Sequence, residues 1–218
     1  MKLFIFDVDG TLVDSQSVIV ASMADGFAAA GLAPLPRDQV LSIVGLSLPV
    51  AVARLLPDAD GTTHDRVTEG YRQGFFARRK TEEMPLYPGA AACLDALVRD
   101  DWLLGIATGK SRRGLDALIE QQGWQGRFIT TQAGDENPSK PSPQMLFQAL
   151  RDTGVAAQDT AMIGDTVFDI EMGRAAGIAA FGAGWGYHPR AALEQAGAVM
   201  VAPDFAALTQ ALKGWADG

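Results

Sequence analysis

Short apolar runs alternate with helical patterns over the second half of the chain. Each run is short enough to be a buried strand. Between the runs, apolar residues recur every three or four positions, which predicts helices. Strands that alternate with helices form βαβ units, so the pattern predicts an α/β fold with a mostly parallel sheet. The predicted strands cover residues 102–107, 128–130, 161–163 and 178–181.

A first strand is separated from these units by a long helical stretch. The apolar run Leu3-Phe4-Ile5-Phe6 predicts this strand, and the residues after it show helical spacing, as between Ile19 and Met23. No strand pattern interrupts the stretch, and prolines divide it into three or four helices. We therefore expect a helical domain inserted after the first strand. The predicted core comprises residues 1–14 and 83–218, and the predicted insertion comprises residues 15–82.

Composition and charge narrow the classes of partner. The formal charge of −8, with no stripe of Lys and Arg, argues against a nucleic-acid partner. The single cysteine, Cys93, is predicted to be a small buried residue on a helix, and one thiol forms no disulfide framework. The apolar run before Asp7 is too short for a signal peptide, and no later run reaches ~18 apolar residues. We therefore expect a soluble, cytoplasmic protein without a membrane span.

Two aspartates follow the first strand at a spacing that points to chemistry. Asp7 and Asp9 stand two residues apart, so their side chains lie on the same side of the strand end. Two carboxylates about 4 Å apart repel by roughly 4 kcal/mol at an effective dielectric constant near 20. A chain that only needed to fold would not place them together without a compensating cation.

Further polar residues follow the other predicted strands. Thr108-Gly109 ends the strand at 102–107, Lys140-Pro141 opens the helix after the strand at 128–130, and Gly164-Asp165-Thr166 ends the strand at 161–163. Asp169 lies one helical turn beyond Asp165. Parallel sheets place their sites at the carboxyl ends of the strands, so these residues are expected to meet Asp7 and Asp9.

The chemistry of this set favours a divalent cation and a phosphoryl group. Four aspartates and Lys140 carry a net charge of −4 + 1 = −3, so an anion would not bind there unaided. Oxygen ligands without His or Cys favour Mg²⁺ over zinc, and Mg²⁺ with a lysine, a hydroxyl and backbone N–H groups suits a phosphoryl group. Asp7 can then act as the nucleophile that forms an aspartyl-phosphate, and Asp9 as the acid and base.

Four motifs, in this order, resemble those of the haloacid dehalogenase superfamily of phosphatases. They are the run from Asp7 to Ser15, Ala107-Thr108-Gly109, Ser139-Lys140-Pro141, and the run from Ile163 to Asp169. The resemblance implies a Rossmann-like core with a doubly wound sheet, a helical cap inserted after the first strand, and Mg²⁺-dependent phosphotransfer.

The resemblance also implies a role for each motif residue. Asp7 would be the nucleophile and a metal ligand, and Asp9 the acid and base with its carbonyl on the metal. Asp165 would bind Mg²⁺, and Asp169 would support Lys140 or the metal. The remaining implied phosphate-binding residues are Thr108, Gly109, Lys140 and Gly10.

Two further segments resemble those of phosphoglycolate phosphatase-like members of this superfamily. They are Ser111 to Leu115 and Gly184 to Tyr187, and they imply a small phosphorylated metabolite as substrate, with phosphoglycolate as the first candidate. In the insertion, Arg54 is a candidate to contact a substrate anion, and Gly45 is expected to mark a loop that faces the site. The two histidines, His64 and His188, show no partner pattern and are predicted to be surface residues.

Other functions remain open at this stage. An enzyme of the same superfamily that removes halide from 2-haloacids, or one that hydrolyses phosphonates, should lack Asp9, which argues against both activities. A sugar phosphomutase of the β-phosphoglucomutase type would keep Asp9, but that type carries a histidine where Ser17 to Val20 offers none. A non-enzymatic phospho-acceptor would also combine clustered aspartates, a threonine, a lysine and Mg²⁺. The sequence leaves the oligomeric state undetermined.

Overall fold

A parallel sheet lies at the centre of the computed structural model, which describes residues 1–79 and 81–218. The described residues form six strands in the order β3-β2-β1-β4-β5-β6, and every neighbouring pair is parallel. The predicted α/β fold class is confirmed. The strands are β1 (Leu3–Phe6), β2 (Leu103–Ala107), β3 (Thr130–Gln132), β4 (Thr160–Gly164), β5 (Ala179–Ala183) and β6 (Met200–Ala202).

Helices cover both faces of this sheet and build the insertion. None of the helices within the described ranges is both long and apolar enough to cross a bilayer. A short 3₁₀ turn, Ala157–Asp159, precedes β4. The α-helices are α1 (Gln16–Ala29), α2 (Arg37–Leu41), α3 (Leu48–Leu55), α4 (Gly61–Arg78), α5 (Ala90–Arg99), α6 (Arg112–Gln122), α7 (Gln144–Thr153), α8 (Val167–Ala175), α9 (Arg190–Ala196) and α10 (Phe205–Asp217).

The strand β1 is central and buried on both faces. Successive side chains of a strand point to opposite faces, so Leu3 and Ile5 pack on one side while Phe4 and Phe6 pack on the other. Such continuous burial is typical of a parallel sheet covered by helices. Because β1 lies between β2 and β4, Asp7 emerges between the carboxyl ends of these two strands.

The chain leaves and re-enters the core at one place. The backbone N–H of Asp14 donates to the carbonyl of Pro85 at 2.9 Å, and the N–H of Tyr87 donates to the carbonyl of Leu12 at 3.0 Å. Helices α1 to α4 lie between these crossings, and no strand occurs among residues 16–79. The helices therefore fall inside the predicted insertion, residues 15–82, whose exact bounds stay a prediction.

One predicted strand lies two residues later in the structure, and one segment of the core was not predicted. The third strand was expected at residues 128–130 but is Thr130–Gln132. The ring of Phe128 packs on Trp124 with centroids 5.4 Å apart. The backbone N–H of Ile129 donates to the carbonyl of Leu104 at 2.8 Å, and regular pairing with β2 begins at Thr130. The segment α9-β6-α10 had no sequence prediction, because β6 is a short edge strand. Cys93 is buried on α5, as expected.

Candidate active site

Three aspartates form a buried acidic cluster at the carboxyl ends of β1 and β4. Asp7 directly follows β1, and its backbone N–H donates to the carbonyl of Ile163 on β4 at 2.8 Å. Asp165 directly follows β4, and Asp169 lies in the first turn of α8. One carboxylate oxygen from each of the three lies within 4.8 Å of the others. The structure thus brings together the predicted residues of two separate motifs.

Lys140 contacts this cluster and is itself fully buried. Its Nζ donates to Asp7 Oδ1 and to Asp169 Oδ1, both at 2.6 Å. The prediction that Lys140 opens a helix is wrong, because α7 begins only at Gln144 and Lys140 lies in the preceding loop. A buried ammonium is costly unless it is paired and hydrogen-bonded, so the two carboxylates fix its position.

Hydrogen bonds hold the other two carboxylates in place. Thr11 Oγ1 donates to Asp165 Oδ1 at 2.8 Å, and the backbone N–H of Tyr187 donates to Asp165 Oδ2 at 2.9 Å. Asp169 Oδ2 accepts from the backbone N–H and the hydroxyl of Thr166, which completes a capping box at the start of α8. Residue 169 therefore both caps its own helix and binds Lys140.

Burial changes the protonation of this cluster. Loss of solvent raises the pKa of Asp7 from 3.8 to about 7, against the opposing charge of Lys140. Burial, with the charges of Asp7 and Asp169, raises the pKa of Asp165 well above its usual range. For Lys140, burial alone would lower the pKa, but the charges of Asp169 and Asp7 outweigh it and raise that pKa above its ordinary value. Lys140 therefore stays charged. Its single positive charge does not offset the burial of the neighbouring carboxylates, so the pKa values of Asp7 and Asp165 stay raised.

The donor set fits a hard divalent cation. Asp7 Oδ2 is buried and has no hydrogen-bond partner among the described residues, although Oδ1 of the same carboxylate is bound to Lys140. Carboxylate oxygens without His or Cys are the ligands that Mg²⁺ prefers. Asp7 and Asp165 are thus placed to hold such an ion, with Asp169 adjacent. The predicted contribution of the Asp9 carbonyl stays a prediction.

Asp9 is not a member of the acidic cluster, and a lysine that the sequence did not predict binds it. Both oxygens of Asp9 lie 2.9 Å from Lys110 Nζ, and Ser15 Oγ donates to Asp9 Oδ1 at 2.6 Å. Lys110 directly follows the motif Thr108-Gly109, which was the one available signal for it. With Lys110 included, the four aspartates and two lysines described here carry a net charge of −4 + 2 = −2.

The predicted phosphate-binding residues lie around Asp7. Thr108 is buried after β2, and its Oγ1 accepts from the backbone N–H of Lys110 at 3.2 Å. Gly10 has φ of 88°, and a Cβ there would collide with the carboxylate of Asp165. A side chain at position 10 would therefore displace a candidate metal ligand.

The lack of a side chain at Gly109 allows the insertion to approach the core closely. A Cβ at this position would lie 2.5 Å from the carbonyl oxygen of Leu46 and 2.6 Å from that of Gly45. Close by, the backbone N–H of Ser47 donates to Ser139 Oγ at 2.9 Å, next to Lys140. The loop that contains Gly45 thus faces the site, as the sequence predicted.

A cavity of about 370 Å³ opens between the core and the insertion. The core side is polar and comprises Asp7, Asp9, Thr108, Gly109, Lys110, Ser111, Gly114, Gly134 and Asp135. The insertion side is mostly apolar and comprises Ile19, Met23, Ile43, Val44, Gly45, Leu46, Ser47, Leu48, Pro49, Ala51, Tyr71, Arg72, Phe75 and Phe76.

Two predicted positions lie elsewhere than expected. Arg54 is exposed, and its guanidinium carbon lies 5.2 Å from the ring centroid of Phe168. It is not among the described residues that line the cavity. His188 was predicted to be a surface residue, but it is half-buried. Its Nδ1 accepts from the backbone N–H of Val167 at 3.2 Å, so Nε2 donates to the carbonyl of Ser42 at 3.1 Å. This ring joins α8 to the insertion, a contact that no local pattern indicates.

Comparison with known proteins agrees with this geometry. The family model described as haloacid dehalogenase-like hydrolase matches residues 4–183. The chain is 34% identical to a phosphoglycolate phosphatase from Agrobacterium fabrum, over 96% of this chain and 91% of that protein. It is 35% identical to a phosphoglycolate phosphatase from Chromobacterium violaceum, over 86% of each. A hydrolase from Pseudomonas syringae has a similar crystal structure, with a TM-score of 0.85, 25% identity, and coverage of 98% of this chain and 99% of that one.

Proposed function

This chain belongs to the haloacid dehalogenase-like hydrolase family, and we propose that it is a Mg²⁺-dependent phosphatase that works through a phosphorylated Asp7. The family resemblance predicted from the four motifs is confirmed, and relatives at 34% and 35% identity are named as phosphatases. The proposed substrate is a small phosphomonoester. Phosphoglycolate is the candidate that the names of these relatives suggest.

One observation carries the proposal. Asp7 is buried at the end of the central strand, with Oδ1 held by Lys140 at 2.6 Å and Oδ2 without a partner among the described residues. A carboxylate held in one orientation at the wall of the cavity can be aligned with phosphorus, which is what nucleophilic catalysis by aspartate needs. Asp7 also lines the cavity, so a substrate has access to it.

In the first step, a carboxylate oxygen of Asp7 forms a bond to phosphorus and the bond from phosphorus to the alcohol oxygen breaks. Asp9 lies on the wall of the same cavity and, in its protonated form, gives its proton to the departing oxygen. In the second step, water attacks phosphorus, Asp9 takes a proton from that water, and inorganic phosphate leaves. Asp7 is thereby restored.

The other residues of the site bind the phosphoryl group and exclude water. Thr108 and the backbone N–H of Gly109 are proposed to donate to its oxygens, and Lys140 offsets negative charge on Asp7. Bound Mg²⁺ would supply further positive charge toward the phosphoryl oxygens. The insertion covers the cavity, so the alcohol leaves from a site with little water.

A direct test measures phosphate release from p-nitrophenyl phosphate and from phosphoglycolate, with Mg²⁺ and with EDTA. We expect turnover with Mg²⁺, none with EDTA, and loss of turnover in Asp7→Asn. Stable phosphorylation of the protein without phosphate release would instead favour a phospho-acceptor. Isomerisation of a sugar phosphate without phosphate release would favour a mutase. A cytoplasmic location stays a prediction.

A further inference from the structure

We propose that the alcohol released from the substrate is an apolar, carbon-rich group, such as an aryl-alkyl or a longer alkyl group, rather than a short charged acid. The proposal rests on the proposed phosphatase function, because it names the leaving group of the same reaction. It is carried by the wall that the insertion contributes to the cavity.

The two sides of the cavity differ in chemistry. Asp7 and the other polar groups on the core side fix where the phosphoryl group binds. The rest of the substrate must then extend toward the insertion. There it meets Ile19 and Met23 of α1, Leu46 of the loop before α3, and Phe75 and Phe76 of α4. Removal of apolar surface from water favours an apolar group at such a wall.

Two cations at the cavity are already paired with carboxylates, while Arg79 and Arg113 stack on the ring of Phe76, with guanidinium carbons 4.8 and 4.2 Å from its centroid. Lys140 is bonded to Asp7 and Asp169, and Lys110 is bonded to both oxygens of Asp9. Among the described lining residues of the insertion, Arg72 alone carries a positive charge, and its side chain is exposed. A carboxylate pressed against the apolar wall would lose hydration without gaining a buried partner, which is unfavourable.

Tyr71 is a polar side chain on this wall that carries no charge. Tyr71 lines the cavity, and its hydroxyl makes no hydrogen bond to a described residue, so it is free to contact a ligand. Burial, with the nearby charge of Asp9, raises the pKa of Tyr71 above its ordinary value, so the phenol stays protonated. A neutral hydroxyl suits one uncharged polar atom of an otherwise apolar group, and it does not neutralise a carboxylate.

The size of the cavity is consistent with a larger leaving group. Its volume of about 370 Å³ falls within the range of pockets that bind ligands of drug size, roughly 300–1,000 Å³. A two-carbon acid would leave much of the apolar wall without a partner. A phenyl ring or a branched chain would cover it.

The test is a series of alkyl phosphates whose leaving groups have similar basicity: methyl, n-butyl and 2-phenylethyl phosphate, with phosphoglycolate assayed beside them. We expect kcat/KM for n-butyl or 2-phenylethyl phosphate to exceed that for methyl phosphate and for phosphoglycolate by at least about tenfold. A smaller ratio overturns the proposal. If phosphoglycolate is then the better substrate, the phosphatase function stands while this inference fails. Absence of turnover for every ester, p-nitrophenyl phosphate included, contradicts both.

A matched pair of variants tests whether this wall carries the preference. Met23→Ala removes an apolar side chain from the wall, and Met145→Ala removes an equally buried one from α7, outside the cavity. We expect the ratio of kcat/KM for 2-phenylethyl over methyl phosphate to fall at least about fivefold in Met23→Ala and to stay constant in Met145→Ala. An equal ratio in both folded variants overturns the assignment, and the wild-type series decides the proposal if Met23→Ala does not fold.

Discussion

Both carboxylate oxygens of Asp9 lie 2.9 Å from Nζ of Lys110, and both residues line the cavity that Asp7 also lines. The same ammonium lies 4.7 Å from the ring centroid of Phe75 on α4 of the insertion. Lys110 therefore contacts both the proposed acid of the core and an aromatic side chain of the insertion. This contact fixes the carboxylate of Asp9 at the wall of the cavity.

Lys110→Met should lower kcat/KM without unfolding the chain. Methionine keeps an apolar stem against Phe75 but leaves Asp9 with the single hydrogen bond from Ser15. We expect a loss of about tenfold, smaller than the 10²–10⁴ that a whole acid–base contribution supplies. The control is Lys213→Met, which removes a partly exposed lysine paired with Asp100. Equal activity of the two variants would contradict a positioning role for Lys110.

Asp9→Asn should cost at least about 10²-fold in kcat/KM, because an amide N–H is too weak an acid to protonate the leaving oxygen. The loss should be larger for an alkyl phosphate than for p-nitrophenyl phosphate, whose leaving group needs less protonation. Steady-state kinetics on both esters measure it. A loss that is the same for both would argue against Asp9 as the acid.

The stability of the metal-free protein should fall as pH rises. Burial raises the pKa of Asp7 from 3.8 to about 7, so between these values the folded chain binds more protons than the unfolded chain. The free energy of unfolding then decreases as pH increases through this window. Mg²⁺ favours the charged carboxylate, so it should stabilise the protein more at about pH 7.5 than at about pH 5.

Thermal unfolding at the two pH values, with EDTA or with Mg²⁺, measures this effect. Asp7→Asn is the control, because its side chain does not titrate in this range, and its Tm should change less between the two pH values. A Tm in EDTA that falls as steeply in Asp7→Asn as in the wild type would rule out Asp7 as the source.

Gly109→Ala should separate the insertion from the core. A Cβ there would lie 2.5 Å from the carbonyl oxygen of Leu46, closer than packed atoms allow. We expect a cost of about 1–3 kcal/mol in stability and a rise in KM as the cavity opens. Gly61→Ala is the matched control, because nothing lies within 4 Å of its Cβ position in the same insertion. Similar KM values for the two variants would show that the contact at Gly109 does not shape the site.

The sequence predicts the acidic cluster because local rules apply to it. The end of β1 places Asp7, and the carboxyl ends of parallel strands bring Asp165 to Asp7. Asp169 follows from the helical turn beyond Asp165. Each of these relations needs only the position of a residue relative to its own strand or helix.

Contacts that depend on packing between distant segments were not predictable in this way. The bond from Lys110 to Asp9 and the bridge of His188 between Val167 and Ser42 both join segments with no fixed spacing. The same is true of the apolar wall, where α1 and α4 must first pack together. Arg54 was predicted to contact a substrate anion because of its charge, but its position on α3 places the guanidinium over the ring of Phe168.

The central claim is that Asp7 carries the phosphoryl group during turnover. The most direct measurement is a rapid acid quench of the Mg²⁺-loaded enzyme with radiolabelled substrate, followed by mapping of the labelled peptide. We predict a covalent acyl-phosphate on Asp7, near one per chain in Asp9→Asn with p-nitrophenyl phosphate, and none in Asp7→Asn. Release of phosphate at the normal rate with no label on Asp7, or with label on another residue, would contradict the account.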